Sequence, residues 1–568
     1  HIELGSSPRQ AALLATQEIG LTVSASTLTI VAVFLPVALM GDTVGQFFKP
    51  FGLTVSAAVL TSLLVARTLS PVLAAYWLKP KAQAPDNPDT ATQHLPDVLA
   101  STQETVPVSK IERGYSRLLS WALHHRWIVV VIAIASFAAG IAIIPLIPQG
   151  FIPQLDRGEF YLNYTAPLPD LSTGAIAPEL EEGQAIPADL AQAPDQAAAE
   201  AQIGDPRRQI LQQTLEEAEP LEEIVFQIPE VASVLTTVGG QGRPNEGRLY
   251  IKLQTDRDRD TAAIQAKLRQ ELTELDDLIT SVEDVQFVDT GGEQPLQVAL
   301  QGDDLLALQE AASDIKAEVE DLTGFADVRI SGEDNTADAI VEITHQDSQR
   351  VAYISANLSE GKALGDATNQ VVDIAQSLIP EDISLDLGGD SARIGEVLGS
   401  FSRTLILGVI CMLIVLLIPF GRLLEPAVVG LSLPLSVVGA MIALLVTQSD
   451  FGIVSLLGLL FLLGLLDKNA LLLMDYANQL RRAGLKRTEA VLKTGLVRLR
   501  PILMTTASTV LGMVPIALGL GAGAELRQPM AVAIIGGLLT STLLSLVVVP
   551  VLYTLLEDGW LWLTRRSP

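Results

Sequence analysis

Long apolar runs alternate with polar segments along the 568-residue chain, and eight of these runs stand out. Each has about 18 or more residues, enough to cross roughly 30 Å of hydrocarbon as an α-helix. The runs are Leu21–Met40, Gly52–Leu78, Trp127–Ile147, Arg403–Phe420, Pro426–Val446, Gly452–Met474, Pro501–Gly521 and Met530–Leu556. The pattern therefore predicts a polytopic α-helical membrane protein with eight transmembrane helices.

The polar stretch between the third and fourth runs, residues 148–402, has the pattern of an α+β domain. Strand-like and helix-like segments follow one another in the order βαββαβ, first over 148–291 and again over 295–390. Units of this kind are typical of ferredoxin-like sandwiches. The first unit contains an insert, 168–206, which is rich in Ala, Pro, Asp and Glu. We expect this insert to be disordered because it cannot bury enough apolar surface.

The remaining segments complete the predicted domain organisation. Residues 1–20 form a cytoplasmic amphipathic helix, 21–78 a transmembrane hairpin, 79–126 a polar cytoplasmic linker and 127–147 a single transmembrane helix. Residues 403–557 supply five transmembrane helices, and 558–568 form a tail.

The charge distribution predicts how the chain is oriented. The net charge is −28, and about three quarters of the 65 acidic residues lie in 148–402. The connection 479–500 carries seven Lys and Arg residues against one acid, Glu489. Because Lys and Arg accumulate in short cytoplasmic connections, this bias places 479–500 in the cytoplasm and 148–402 on the opposite side.

Several classes of function find no support in the residue pattern. The single cysteine, Cys411, lies in an apolar run, so we expect neither an internal disulfide nor a Cys-based metal site. No nucleophile elbow and no HExxH motif occurs, so the chain is not expected to be an enzyme or to bind nucleic acid. All seven methionines lie in or beside the apolar runs and none in 148–402, which argues against a pump for soft metals.

An internal repeat relates the first apolar hairpin to the last. At a constant offset of 479, Pro36 and Pro71 fall on Pro515 and Pro550 without a gap. Membrane transporters are often built by duplication, with the working site between the two copies. In this interpretation the first copy lacks its opening span, its exterior domain and its next three spans. The chain, which opens with His1, would then be a truncated protein.

One apolar run carries charges at its middle. Asp467, Lys468 and Asn469 lie within Gly452–Met474. A charge at the centre of a bilayer costs about 2.5–3.5 kcal/mol on insertion scales, so an intramembrane lysine suggests a functional role with a partner. The alternative is static pairing of Lys468 with Asp467. Successive helix residues point about 100° apart, which makes that pairing poor.

Five segments make the chain resemble the resistance-nodulation-division (RND) transporters, specifically the inner-membrane pump subunit of hydrophobe/amphiphile (multidrug) exporters. The last of them is long and specific. The segments are STLTIVAVFLPVALMGDTVGQFFKPFGLTV (26–55), IPQGFIPQLDRGEF (147–160), ISANLSEGKALGDA (354–367), DKNALLLMDYANQLRRAG (467–484) and RLRPILMTTASTVLGMVPIALGLGAGAELRQPMAVAIIGGLLTSTLLSLVVVPVLY (498–553).

The resemblance implies an architecture and partners. Members have twelve spans in two repeats, form homotrimers with a periplasmic adaptor protein, and lie in the bacterial inner membrane. The present chain would supply spans five to twelve, with 148–402 as a periplasmic porter domain. The family's docking subdomain is normally inserted between ADVRISG and QRVAYISANL, where only about 15 residues stand here. This departure weakens the expectation of contact with an outer-membrane channel.

The resemblance also implies proton-driven export of amphiphilic small molecules, with protons as the coupling ion and no other cofactor. The proton relay would include Lys468, Thr505 and Arg498, with Asp467 and Asn469 as candidate helpers. In this scheme carboxylates from the missing span hold Lys468 when ionised and release it when protonated.

Each relay residue also has a simpler interpretation. The hydroxyl of Thr505 could bond back to its own helix, as is common in membranes. Arg498 could be a cytoplasmic positive-inside anchor. The rival hypothesis for the whole chain is a non-transporting half-pump, accessory subunit or remnant that lacks the relay carboxylates.

Overall fold

The computed structural model describes residues 2, 7–41, 43–78, 109–151, 155–167, 206–272, 278–286, 294–331, 344–346, 348–359, 361–521 and 523–564. They form two compact units, one of His1–Pro153 with Gly395–Pro568 and one of Gln154–Ile394. Four predicted segments fall outside the described residues: the insert 168–206 apart from Pro206, positions 79–108 of the linker, the short segment 332–343 at the expected docking position, and the last four residues of the tail.

Among the described residues, five helices precede the first sheet. They are α1 (Pro8–Ala38), α2 (Thr43–Arg67), α3 (Leu69–Trp77), α4 (Lys110–His124) and α5 (Arg126–Ile143), the last continued by a 3-10 turn, Ile144–Leu146. Ser7 caps α1 by accepting the Gln10 backbone N–H at 3.4 Å, and Pro8 opens the helix. Because α1 is continuous, the separate amphipathic helix predicted over 1–20 is instead the first part of the helix that forms the first span.

Part of the predicted linker 79–126 is a packed helix. Helix α4 opens with a capping box, in which the Ser109 backbone N–H donates to Glu112 Oε2 at 2.7 Å. This bond, together with the charge of Arg500, holds the pKa of Glu112 below its usual value. The apolar stripe of α4 includes Tyr115 and Leu119, both buried. Helix α4 is too short and too polar on its other face to register as an apolar run.

The first sandwich has the predicted order of elements. They are β1 (Glu159–Thr165), α6 (Pro206–Glu216), α7 (Ala218–Phe226), β2 (Val231–Val238), β3 (Glu246–Leu253), α8 (Thr261–Leu272) and β4 (Ile279–Asp284). The sheet order is β2-β3-β1-β4, with antiparallel neighbours. Alternate residues of β1, Phe160, Leu162 and Tyr164, are fully buried against the helices. Helices α6 and α7 are separated at Glu217.

The second sandwich repeats this topology. Its elements are β5 (Leu296–Gly302), α9 (Leu305–Glu320), β6 (Phe325–Ile330), β7 (Thr344–Gln346), β8 (Gln349–Leu358), α10 (Leu364–Leu378) and β9 (Ser384–Gly388). The sheet order is β6-β8-β5-β9, and the short β7 pairs with β8. In both sheets the first strand lies between the third and the fourth, which confirms two ferredoxin-like βαββαβ units.

Six helices follow the second sandwich. They are α11 (Gly389–Phe420), α12 (Leu424–Ser432), α13 (Leu435–Val446), α14 (Ile453–Arg482), α15 (Arg487–Ala517) and α16 (Ala524–Thr564). Within the described residues, eight helical segments are long and apolar enough to cross a bilayer, α2 with α3 and α12 with α13 each counting as one. This confirms the predicted number of spans and the fold class. Helix α11 begins before residue 403, where the predicted membrane region starts.

Helix α14 lies at the centre of the membrane unit, packed against α1, α15 and α16. Most of its residues are buried, which explains why apolar residues occupy most of its circumference. Helices α13 and α16 also cross closely, through Gly439 and Gly536. A Cβ added at Gly536 would lie 2.3 Å from the Gly439 carbonyl oxygen. Small residues permit such close helix packing in membranes.

A joint of main-chain hydrogen bonds links the segment after α5 to the connection between α13 and α14. The Phe451 N–H donates to Pro148 O at 2.8 Å, and the Ile453 N–H donates to Phe151 O at 3.2 Å. Between them the Asp450 carboxyl lies against Gly150, and burial raises its pKa to about 6. Asp450 has no hydrogen bond or ion pair with any of the described residues.

We predict that Gly536→Ala lowers the melting temperature of the purified protein, since the new methyl group has no space at the α13–α16 crossing. Overpacking of this kind costs about 1–3 kcal/mol. Gly512→Ala on α15 is the matched control, because a Cβ there meets nothing within 4 Å. The control should be neutral or raise the melting temperature, since Ala is a better helix former than Gly. Equal melting temperatures for Gly536→Ala and wild type would contradict this packing.

We predict that Asp450→Asn removes a pH dependence of stability. The native state favours protonated Asp450, so native stability falls as the pH rises from 3.8, the ordinary pKa, to about 6. A shift of this size corresponds to at most about 3 kcal/mol. Melting curves across this range should show Asp450→Asn more stable than wild type at pH 7.5 and no more stable below pH 4. A constant difference between the two proteins at all pH values would contradict the prediction.

Candidate functional site

The middle of α14 places two charged side chains inside the helix packing. One turn before Asp467, Gly464 lies against α1: a Cβ there would be 3.3 Å from both Ile30 and Phe34. Asp467 and Asn469 are buried, whereas Lys468 is half-buried. The lack of a side chain at Gly464 lets α1 approach the charged part of α14 closely.

The Asp467 carboxylate has no hydrogen-bond donor in the described structure. It is fully buried, and neither of its oxygens accepts a hydrogen bond. The buried hydroxyl of Thr29 on α1 lies near Asp467. This hydroxyl donates its hydrogen bond to the Ser26 carbonyl oxygen of its own helix, at 2.8 Å. A buried ionised carboxylate without donors is strongly unfavourable. The site therefore favours either a proton on Asp467 or a donor brought close to it.

Lys468 is likewise without a partner. Its ammonium group forms neither an ion pair nor a hydrogen bond within the part of the chain that the structure describes. The field of the adjacent Asp467 acts on it, but the two side chains leave the helix in different directions. The static Asp467–Lys468 pair, which was the alternative from the sequence, is therefore absent from the described structure.

Arg498 lies near the cytoplasmic half of α14. Its guanidinium carbon is 4.8 Å from the centroid of the Tyr476 ring, a cation–π arrangement. Its Nε is buried without an acceptor, and the field of Asp475 acts on it. Arg498 is thus half-buried against α14, a position more enclosed than that of a purely interfacial anchor.

Thr505 faces away from the protein interior. It is exposed, and its hydroxyl donates to the Ile502 carbonyl oxygen of its own helix at 2.9 Å. This geometry agrees with the simpler interpretation of Thr505. The next residue, Thr506, is buried and forms a hydroxyl pair with Thr542 of α16 at 3.0 Å. Among the described residues, no hydrogen bond joins Thr505 to Lys468.

The sequence reasoning missed a carboxylate two turns beyond Lys468. Asp475 Oδ2 accepts hydrogen bonds from Thr22 Oγ1 of α1 at 2.6 Å and from Gln479 Nε2 at 2.9 Å. Residues seven positions apart lie on one helix face, so the spacing from Lys468 contained the signal. Asp475 thus continues the polar face of α14 from Lys468 towards the cytoplasm, beside Arg498.

A second polar network lies at the cytoplasmic end of the helix bundle. Asn478 Nδ2 donates to Glu425 Oε1 at 3.0 Å, and Tyr553 OH donates to Asn478 Oδ1 at 2.7 Å. Arg481 Nη1 donates hydrogen bonds to Tyr553 OH at 2.8 Å and to Glu557 Oε1 at 2.7 Å. Helices α12, α14 and α16 are held together here by side chains that the sequence alone did not connect.

The charged residues in the middle of α14 are groups that can bind or release protons. The described residues contain no group of three His, Cys, Asp or Glu side chains placed to hold a metal ion. Helix α14 instead carries two carboxylates, at Asp467 and Asp475, and one amine, at Lys468. In an apolar setting such groups change their charge by gaining or losing protons.

Comparison with known proteins identifies a family that matches most of the chain. The model of the AcrB/AcrD/AcrF family matches residues 1–171, 184–346 and 336–557. Two solved structures, each described as a heavy metal efflux pump, have a similar fold. Crystal form I has a TM-score of 0.72 and 20% sequence identity, and the match covers 96% of this chain and 59% of the pump's chain. Crystal form II has a TM-score of 0.68 and 19% identity, with coverages of 98% and 61%. The chain thus spans about three fifths of these proteins, and at this identity the likeness concerns the fold.

We predict that the bond between Thr22 and Asp475 locks α1 to α14. A hydrogen bond to a charged group contributes about 1.5–3 kcal/mol. Melting temperatures of Thr22→Val, Asp475→Asn and the double variant should therefore show coupling of this order rather than additive losses. Thr27→Val is the control, because the Thr27 hydroxyl donates only to Val23 O of its own helix. The losses of melting temperature from Thr27→Val and Asp475→Asn should add in the corresponding double variant. Additivity for both threonines would contradict the lock.

Proposed function

The chain belongs to the AcrB/AcrD/AcrF family of RND transporters, and from this membership we propose that it is the proton-coupled part of a pump that exports amphiphilic small molecules. Its location is the bacterial inner membrane, with the two sandwiches in the periplasm. The observation that carries the proposal is the pair of partnerless charged residues, Asp467 and Lys468, inside the packing of α14.

The proposal assigns a proton-dependent partner to Lys468. An ammonium group in hydrocarbon is stabilised by a nearby carboxylate and destabilised when that carboxylate is neutralised. Asp467 forms no ion pair with Lys468 in the described structure, so the proposed partner is a carboxylate on another helix of the assembled pump. Proton binding to that acid frees Lys468, and proton release holds it again. Each change alters the charge balance at the crossing of α14 with α1.

Movement of α14 would then reach its neighbours. Helix α14 packs against α1, α15 and α16, and the Thr22–Asp475 bond ties it to α1. Packed helices switch between discrete arrangements because close packing resists continuous deformation. The proposed route for protons runs along the polar face from Lys468 past Asp475 towards Arg498. In this version Thr505 is the least supported relay residue, since it is exposed.

The proposed substrates are amphiphiles rather than soft metal ions. Soft metals are bound by thiolate and thioether ligands. The periplasmic stretch 148–402 contains neither Met nor Cys. The related structures bear the description of heavy metal efflux pumps, but the identity of 19–20% does not carry their substrate over to this chain. A homotrimer with a periplasmic adaptor protein is the proposed assembly, in keeping with family membership.

We predict that Lys468→Ala abolishes proton-dependent export in cells that produce the protein from its own gene. Efflux of a fluorescent amphiphile should slow at least tenfold, to the rate seen when a protonophore collapses the gradient. The matched control is Lys486→Ala, which removes an exposed lysine in the connection before α15 and should leave efflux unchanged. Membrane amounts of both variants are compared with wild type by immunoblot.

Three outcomes separate the parts of this proposal. Wild-type efflux rates in Lys468→Ala would contradict the coupling role. Export of copper or zinc but not of the dye, still lost in Lys468→Ala, would contradict only the substrate class. No export by the wild type of either kind of compound would favour the accessory half-pump instead.

A further inference from the structure

Helix α4 carries two different rows of side chains on its outer surface. Lys110, Arg117 and His124, spaced seven positions apart, form a basic row, and all three are exposed. One position further along the chain, Ile111 and Leu118 form an apolar row, with 70% and 48% of their surface exposed. Residues seven positions apart on an α-helix differ by only about 20° in direction, so each row follows one line of the helix surface.

These two rows do not overlap the stripe by which α4 packs on the bundle. Successive helix residues point about 100° apart, which places the basic row on the side of α4 opposite the buried Tyr115 and Leu119. The same geometry places Trp121, which is 44% exposed, between the two rows. Helix α4 therefore has three sectors: one packed on the protein, one exposed and apolar, and one exposed and basic.

Two cations of the basic row have no partner. Lys110 and Arg117 form neither a hydrogen bond nor an ion pair within the described residues. His124 Nδ1 lies 3.0 Å from the carbonyl oxygen four positions earlier, which can only accept, so Nδ1 donates and Nε2 faces outwards. The one acid of α4, Glu112, is already paired with Arg500 at 2.7 Å. The outer face of α4 thus offers positive charge that no acid of the helix neutralises.

The tryptophans indicate the surroundings of this face. The chain contains five, and each is exposed at or beside a helix end that the charge pattern places towards the cytoplasm: Trp77, Trp121, Trp127, Trp560 and Trp562. Tryptophan accumulates where lipid headgroups meet hydrocarbon. Helix α4 ends directly before the span α5, so its outer face lies at the headgroup level of the cytoplasmic leaflet.

From these observations we propose that the outer face of α4 is a binding site for an anionic phospholipid of the cytoplasmic leaflet. The lipid phosphate accepts hydrogen bonds from Arg117 and Lys110, and the acyl chains cover Ile111 and Leu118. Guanidinium groups match the geometry of phosphate oxygens. Basic side chains beside exposed apolar ones are the usual means by which a helix recognises an anionic membrane surface.

A phospholipid explains both rows, whereas an acidic protein segment explains only one. Such a segment would neutralise Lys110 and Arg117 but would give Ile111 and Leu118 no apolar partner. A zwitterionic lipid would cover the apolar row and leave the net positive charge of the basic row unbalanced. The site is separate from Lys468 and requires neither proton coupling nor a particular exported substrate.

Photo-crosslinking of the full chain in living cells tests this proposal. A benzoylphenylalanine in place of Leu118 should crosslink to phospholipid on illumination. Mass spectrometry of the adducts should show anionic phospholipids enriched about threefold over their share of the membrane, because the basic row attracts them. The matched control is the same replacement at Ile414 on α11, which is 57% exposed and has no charged residue within seven positions. It should crosslink to lipids in membrane proportion.

Two pairs of charge substitutions locate the site. The double variant Lys110→Gln, Arg117→Gln should lower the enrichment at Leu118 to the value found at Ile414. The double variant Arg482→Gln, Lys486→Gln removes the same charge from exposed positions where α14 is connected to α15, and it should leave the enrichment unchanged. Immunoblots of the membrane fraction establish that all variants are present in equal amounts.

Each other result would overturn the proposal. A crosslinked peptide at Leu118 would mean that a protein segment covers this face. Lipid adducts in membrane proportion, or no adduct while Ile414 labels lipid, would mean that no anionic lipid is selected there. Enrichment that persists in Lys110→Gln, Arg117→Gln, or that falls equally in both double variants, would show that the basic row of α4 does not form the site.

Discussion

The cost of holding an ammonium group and a carboxylate inside apolar packing constrains the whole membrane unit. Lys468 and Asp467 occupy the middle of α14, which three other long helices surround, and neither has a partner within the described residues. A helix built only for stability would not carry them, since apolar residues of the same size would remove the cost. Their presence places the charge state of α14 at the centre of the proposed mechanism.

Side-chain hydrogen bonds hold the cytoplasmic half of α14 to its neighbours. The Thr22–Asp475 bond and the network around Asn478 fix its cytoplasmic half to α1, α12 and α16. At Gly464, about one turn before Lys468, the neighbours on α1 are the apolar side chains of Ile30 and Phe34. In the proposed function, a change of charge on Lys468 acts on this part of the α1–α14 crossing.

The sequence predicted the spans and the two sandwiches because both rest on strong periodic signals. Apolar length identifies a span, and alternation along β1 and its partners identifies strands. Helix ends were less predictable. Helices α1 and α11 continue beyond the hydrocarbon, where hydropathy carries no information, and α4 has one apolar stripe on a polar helix. Side-chain direction could not be predicted, because hydropathy does not fix the rotation of a helix about its axis: Thr506 is buried and Thr505 is exposed.

The central claim, that the charge on Lys468 couples proton movement to transport, is tested most directly by proton flux. The native protein is reconstituted into vesicles that contain a pH-sensitive dye. An outward-directed concentration gradient of the exported amphiphile is then applied across the vesicle membrane. The account predicts substrate-dependent proton movement with wild type and none with Lys468→Ala. Equal proton flux in the two proteins would contradict it.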